Sequence, residues 1–437
     1  MFERGRSHGD HGEWRLESAH LMAFADTLLV FRSRKILLLL LLGFSSGLPL
    51  ALTAGTLQAW LTVDGVDLKT IGWFALVGQP YTYKFLWAPL MDRYSLPFLG
   101  RRRGWLLVTQ VTLAAAIAFM GTLSPKDSPW LLAGLALMVA FLSASQDVVF
   151  DAFRADILGA EERGAGAAVS VFGYRIAMLV SGGLALVLAD SVLGWQSTYW
   201  LMAGLMAVGM IATWNAPEPP SAGVPPRSLA AAVKEPLTEY FSRRSAWLLL
   251  ALVVLYKLGD AFAGSLSTAF LIRGAGFSAT DVGAINKGLG LVATILGALA
   301  GGALMAHLRL YRSLMLFGVL QAVTNLGFMA VAIVGKSYPV MIAAVAAENL
   351  CGGMGTAAFV ALLMAMCDRR FSATQYALLS ALSAVGRVYV GPAAGYMATD
   401  LGWTTFFFVT FLIALPGVAM LWWQRQRIEE LDTSPKN

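Results

Sequence analysis

The segment PEPPSAGVPPRSLAAAVKEPLTEYFSRRS, residues 217–245, decides how this chain is organised. Rich in proline and charge, it cannot continue an apolar helix, and long apolar runs lie on both sides of it. A helix that crosses a bilayer needs roughly 20 apolar residues. Stretches of that kind lie at 36–61, 71–91, 104–123, 130–152, 165–189 and 198–216 before the segment. After it they lie at 246–272, 282–306, 313–335, 338–366, 376–400 and 404–424. The pattern predicts an all-α integral membrane protein of twelve transmembrane helices, built as two pseudo-symmetric six-helix halves. Its parts are an N-terminal extension (1–35), a first bundle (36–216), the linker (217–245), a second bundle (246–424) and a tail (425–437). The tenth stretch is overlong and rich in glycine, which predicts a break or tilt there.

Composition agrees with this reading. Apolar residues make up 57% of the chain and charged residues only 13%, about half the charged share of a soluble domain. The two cysteines, Cys351 and Cys367, lie in or beside apolar sequence and suggest neither a disulfide framework nor a thiolate metal site. Three of the four histidines (His8, His11, His20) fall in the polar extension, so no metal centre and no cofactor is expected. The net charge of +6 is scattered over the ends of the apolar stretches rather than gathered on one basic face, which argues against nucleic acid. The run beginning at Ile36 has no small-residue cleavage site after a short core and reads as an uncleaved span.

Charge also orients the chain. With a cytoplasmic N-terminus, 23 Lys and Arg fall on the cytoplasmic side and four (Lys69, Lys126, Arg273, Lys336) on the periplasmic side, with five inside spans. The positive-inside rule then places both termini in the cytoplasm. The halves repeat at an offset near 210 residues: FRSRK answers FSRRS, Gly65 and Gly72 align with Gly276 and Gly283, and Arg175 aligns with Arg387. DSVLGWQSTYW (190–200) and DLGWTTFF (400–407) recur in the same order, as expected of a transporter grown by duplication.

Ionisable side chains inside spans cost roughly 2.5–3.5 kcal/mol each at mid-membrane, so each needs a partner, a wet cavity or a function. The chain has Lys84, Asp147, Asp151, Arg175, Lys257, Asp260, Lys287, Glu348 and Arg387 in such places. SASQDVVFDAF (143–153) sets Asp147 and Asp151 one helical turn apart beside Gln146. Asp147 is a candidate proton site. Asp151, nearer the cytoplasmic end, is expected to pair with an arginine of the loop between spans two and three, with proton coupling as its second reading. Lys257 and Asp260 are spaced for an ion pair that Lys287 could join, either structural or broken during transport. Arg175 and Arg387 suit packing or bidentate capture of a substrate carboxylate. Glu348, beside Asn349, is the second proton-site candidate. Gln79, Tyr83, Gln321 and Asn325, with Trp60 and Tyr81, supply hydrogen-bonding and flat aromatic groups of the kind that suits a sugar. GAGAAVS (164–170) and LGALAGGAL (296–304) are read as close helix packing, since neither has the lysine and hydroxyl of a phosphate loop.

The loop MDRYSLPFLGRRRG (91–104) resembles the Asp-Arg-x-Gly-Arg-Arg signature of the major facilitator superfamily, and Asp92, Arg93, Arg101 and Arg102 are its candidate gating residues. More specific are GFSSGLPLALTAGTLQAWLT (43–62), FLWAPLMDRY (85–94), SASQDVVFDAF (143–153), VLYKLGDAFAGSL (254–266), ENLCGGMGTAAFVALLM (348–364) and FSATQYALLSALSAVGRVYVGP (371–392). Together they resemble the AmpG-type muropeptide permeases of Gram-negative bacteria across nearly the whole chain. The resemblance implies a proton-driven importer in the inner membrane, and a monomer is expected. Its cargo would be N-acetylglucosaminyl-1,6-anhydro-N-acetylmuramic acid with or without stem peptide, which is recycled and signals β-lactamase induction. Within the family pattern, Asp147 is the acid expected to matter most. Many enteric members continue with more hydrophobic sequence where this chain stops at Asn437, a difference that touches that extra segment and not the core. Rival readings are import of another bulky amphiphile such as a siderophore, a non-transporting receptor, and a membrane-embedded glycan enzyme using Asp147 and Asp151. Dispersed charges on a six-plus-six duplication disfavour the enzyme.

Overall fold

A computed structural model describes residues 33–158, 162–219, 238, 240–242, 246–367 and 372–433; the N-terminal extension through residue 32 and most of the linker lie outside the described residues. Each of the twelve apolar stretches falls on helical chain, and eight continuous helical runs are long and apolar enough to cross a membrane. Before the linker the helices of the described residues are α1 (Arg34–Val63), α2 (68–93), α3 (Arg101–Gly121), α4 (Pro129–Ile157), α5 (163–191) and α6 (194–215). After it come α7 (Ala246–Gly274), α8 (279–308), α9 (310–334), α10 (Tyr338–Ala365), α11 (Ser372–Leu401), α12 (Trp403–Trp423) and a short polar α13 (Arg425–Thr433).

Helices α8 and α9 abut at a sharp turn and fold back on each other. Gly301 packs on Met354, and Gln321 lies against Gly352 of the same helix. Twenty residues of straight helix would hold those two contacts about 30 Å apart. The turn is made at Arg309, whose φ of 59° and ψ of 164° fall in a region nearly reserved for glycine. Such a conformation costs about 1–3 kcal/mol for any other residue.

The expected break in the tenth span is absent, because α10 runs unbroken from Tyr338 to Ala365. Its glycines serve close approach instead: a Cβ at Gly353 would collide with the backbone of Thr294 on α8. The irregularities sit elsewhere. Helix α2 is divided by 3₁₀ turns at Ala75–Gly78 and Lys84–Leu86, in a sequence where Pro80 and Pro89 each lack an amide donor. Wider π turns interrupt α5 at Val180–Leu184, α7 at Phe270–Gly274 and α8 at Val282–Leu289.

Backbone geometry repeats with the sequence. Gly65 and Gly276 adopt φ of 82° and 78°, Leu99 and Arg309 both 59°, and Gly194 and Gly402 72° and 76°. Gly72 of α2 lies against the backbone of Gly391 on α11, while its counterpart Gly283 on α8 lies against Gly183 on α5. A side chain at Gly72, Gly283 or Gly391 would force the two halves of the chain apart.

The contacts between those halves gather at one end. Gln58 donates to the carbonyl of Ser265 at 2.6 Å, and Arg273 donates to that of Thr62 at 2.8 Å. Lys69 pairs with Asp400 at 3.5 Å, and Asp190 accepts from both the amide and the hydroxyl of Thr280 at 2.9 and 2.7 Å. The last two pairs are equivalent under the repeat, since Lys69 corresponds to Thr280 and Asp400 to Asp190. The core of this closed end includes Trp60, stacked on Trp195 at 5.7 Å and buried. Trp60 is therefore a packing residue here, not a group presented to a sugar.

Candidate functional site

Two clusters of polar side chains lie in the middle of the bundle, one in each half. In the first, neighbouring residues of α4 meet neighbouring residues of α1. Ser46 donates a short hydrogen bond to Asp147, and Gln146 donates to Ser45 at 3.1 Å. Lys84 on α2 is the cation within electrostatic reach of Asp147. Gln146 is 1% exposed and faces α1, so it positions Asp147 from inside the packing. Ser45 and Ser46 carry this arrangement; their only mark in the sequence is an adjacent pair of hydroxyls in an apolar helix.

Asp151 does not pair with the loop between α2 and α3. It is bridged by Arg154 of its own helix at 3.1 Å, with a side chain 53% exposed. The loop arginine Arg102 instead takes Asp156, one further turn along α4, at 2.8 Å. Helical spacing explains the difference, because a partner three residues away is always in reach whereas the loop docks only where its own backbone allows.

In the second cluster Lys257 and Asp260 of α7 form an ion pair at 3.5 Å, and Gln321 of α9 contacts both, donating to Asp260 and accepting from Lys257. Glu348 of α10 accepts from Asn349 at 2.9 Å, and Asn349 in turn accepts from Thr294 at 3.1 Å. Lys287 joins through Glu348, its electrostatic partner, rather than through Asp260 directly. Its ammonium also reaches across the halves to Gly55, where α1 is interrupted at Ala54. Asn325 is 1% exposed inside the second half, and neither of its amide atoms has a hydrogen-bond partner among the described residues.

Between the clusters stand the repeat-related arginines. Arg175 and Arg387 are both exposed and both within electrostatic reach of Tyr174, as are Asp147 and Asp151; Arg387 also reaches Asp260. The hydroxyls of Tyr83 on α2 and Tyr389 on α11 meet at 2.9 Å across the halves. Gln79 is half-buried one turn before Tyr83, in the stretch of α2 that packs near α11. Tyr174 and Tyr389 escape a reading of charges alone, though each sits within two residues of a repeated arginine. The arrangement is a central region flanked by acids, bases, hydroxyls and amides from both halves, closed on one side by the glycine contacts.

The family model described as Major Facilitator Superfamily matches residues 39–336. The chain belongs to that superfamily. It is 60% identical over 400 residues to the anhydromuropeptide permease of Escherichia coli strain K12, covering 92% of this chain and 82% of that protein. A Rickettsia felis protein described as putative transporter AmpG 4 is 33% identical, with 91% and 98% covered. Within the superfamily the chain is thus one of the AmpG-type permeases. Among solved structures, a bacterial homologue of the human lysosomal transporter Spinster, inward-facing and unoccupied, aligns over 93% of this chain and 99% of its own with a TM-score of 0.72 at 15% identity. A D-xylose–proton symporter aligns over 89% and 97% with a TM-score of 0.66 at 13% identity. These two share the fold.

The superfamily loop is clamped at the end opposite the glycine contacts. Arg102 bonds Asp156 through its guanidinium, and Arg103 donates to the carbonyls of Thr213 and Trp214 at the end of α6. The first amides of α3, those of Arg102 and Arg103, donate to the two carboxylate oxygens of Glu218 at 2.8 and 3.0 Å. Arg101 opens the same helix, half-buried, while the side chains of Asp92 and Arg93 lie outside the described residues. Glu218 acts as a charged cap on the positive end of α3. Glu218→Ala is expected to lower stability by about 1–2 kcal/mol, read as a lower thermal midpoint in detergent; an unchanged midpoint would show that solvent replaces the cap.

Proposed function

We propose that this protein imports anhydro-muropeptides from periplasm to cytoplasm, driven by protons, by alternating access of its two halves (36–216 and 246–424) about the central region. The observation that carries the reading is 60% identity over 92% of the chain to a permease described for that cargo. The site supports it chemically. Arg175, Arg387 and Lys287 are cations suited to the carboxylates of a stem peptide, and the tyrosines with Gln79 suit a disaccharide. Asp147 and Glu348 are the proton-carrying candidates, one in each half. Transport then needs neither cofactor nor catalytic residue.

Sidedness follows from the charge asymmetry: both termini lie in the cytoplasm of a Gram-negative cell, with the protein in its inner membrane. With that orientation the contacts at Thr62, Lys69, Asp190 and Gly72 close the periplasmic end, which supports an inward-facing state.

Right-side-out vesicles are expected to accumulate labelled anhydro-muropeptide until an uncoupler is added, and Asp151→Asn is expected to do so within about twofold of wild type, since its exposed pair with Arg154 is worth little. Absence of wild-type uptake with intact binding would select the receptor reading, and uptake of a siderophore instead would select the other cargo.

A further inference from the structure

We propose that the pocket between the α8–α9 turn and α13 binds the phosphate of an anionic lipid headgroup at the membrane surface. A cavity of about 700 Å³ lies there, lined by His307, Arg309, Tyr311 and Arg312 on one wall and by Arg425, Glu429 and Glu430 on the other. The central transport region lies elsewhere in the bundle, so this pocket is a separate site.

The charges on its walls are unevenly matched. Arg425 is held by Glu429 at 2.9 Å and lies over the ring of Tyr311 at 5.5 Å. Glu430 is engaged in a contact of its own. Arg309 and Arg312 border the same cavity, exposed and without an ion pair among the described residues. Two guanidiniums facing one cavity provide the planar donors that match the oxygens of a phosphate.

The repeat supplies an independent argument. At the equivalent turn of the first half, Leu99 has the same φ as Arg309, and the carboxylate of Glu218 occupies the space in front of the following helix. Glu429 is the residue 211 positions on, but it turns to Arg425. The second half thus presents an open basic pocket where the first half holds an anion.

The surroundings select lipid over a soluble anion. Trp422 and Trp423 are exposed side by side just before Arg425, and Leu299 and Leu304 are exposed on α8 leading to His307. Paired tryptophans at the end of an apolar helix sit at headgroup level, and an apolar wall beside them accommodates acyl chains.

The test is native mass spectrometry of the full chain in detergent, titrated separately with phosphatidylglycerol, phosphatidylcholine and inorganic phosphate. Wild type is expected to retain phosphatidylglycerol about tenfold better than phosphatidylcholine, and Arg309→Gln/Arg312→Gln to lose that preference, while Arg427→Gln, on α13 but outside the pocket lining, keeps it. Arg309→Gly guards against a folding artefact, since glycine relieves the backbone while removing the guanidinium; it too is expected to weaken phosphatidylglycerol retention. An undiminished preference in both the double variant and Arg309→Gly would overturn the proposal. So would inorganic phosphate binding as tightly as phosphatidylglycerol, which would make this a soluble-anion site.

Discussion

Asp147→Asn is expected to abolish the uncoupler-sensitive accumulation of anhydro-muropeptide while leaving passive exchange down a gradient in place. The amide retains the size of the carboxylate and can still accept from Ser46, so the packing of α4 on α1 survives. It cannot take up or release a proton. One proton moving through 100 mV supplies about 2.3 kcal/mol, which sustains roughly a fifty-fold gradient of a neutral solute. That factor is the size of the expected loss. An anionic cargo reduces the gain unless further protons accompany it, so the wild-type gradient should shrink as stem peptides add negative charge. Steady-state uptake in right-side-out vesicles, with and without uncoupler, reads both effects. A variant that still accumulates cargo and still responds to the uncoupler would move the proton to another acid, with Glu348 the next to replace.

Asp260→Asn should be the more damaging change to the protein itself. It leaves the ammonium of Lys257 in the bundle without its carboxylate, and Gln321 without its charged acceptor. Breaking a buried pair from one side costs about 3–5 kcal/mol. The pair here is part-exposed, so the lower end of that range applies. Removing both charges with Lys257→Gln/Asp260→Asn is expected to restore the folded yield, because no orphan ion remains. Transport should stay low in the double variant, since the pair that links α7 to α9 and lies within reach of Glu348 is gone. Size-exclusion profiles and vesicle uptake, measured on the same preparations, separate the two effects. Full transport by the double variant would make the pair a structural bridge only.

Both predictions rest on positions legible in the linear sequence, and the reason is energetic. A charge inside an apolar stretch is costly wherever it occurs, so Asp147, Lys257, Asp260 and Glu348 stand out by their chemistry alone. Partners are another matter. The spacing of Lys257 and Asp260 implied their ion pair because both are on one helix, and the structure has it at 3.5 Å. Asp151 shows the limit: its neighbour Arg154 outcompeted the loop arginines, and Arg102 went to Asp156. Helical periodicity ranks candidates along one element, but where a loop docks depends on contacts between elements distant in sequence.

The amino-acid sequence by itself determined the helical membrane class, the apolar stretches and the repeat, because hydropathy and backbone hydrogen bonding inside a bilayer admit few alternatives. The six motifs were also enough to place the chain among the AmpG-type permeases. Only the tertiary structure decided that the glycines of α10 serve packing rather than a break, that Trp60 is core, that Ser46 bonds Asp147, that Tyr174 and Tyr389 stand beside the repeated arginines, and that Glu218 caps α3. A small residue permits either a bend or a close approach, and a hydroxyl is inexpensive anywhere along a helix, so neither declares its role until the facing helix is in place.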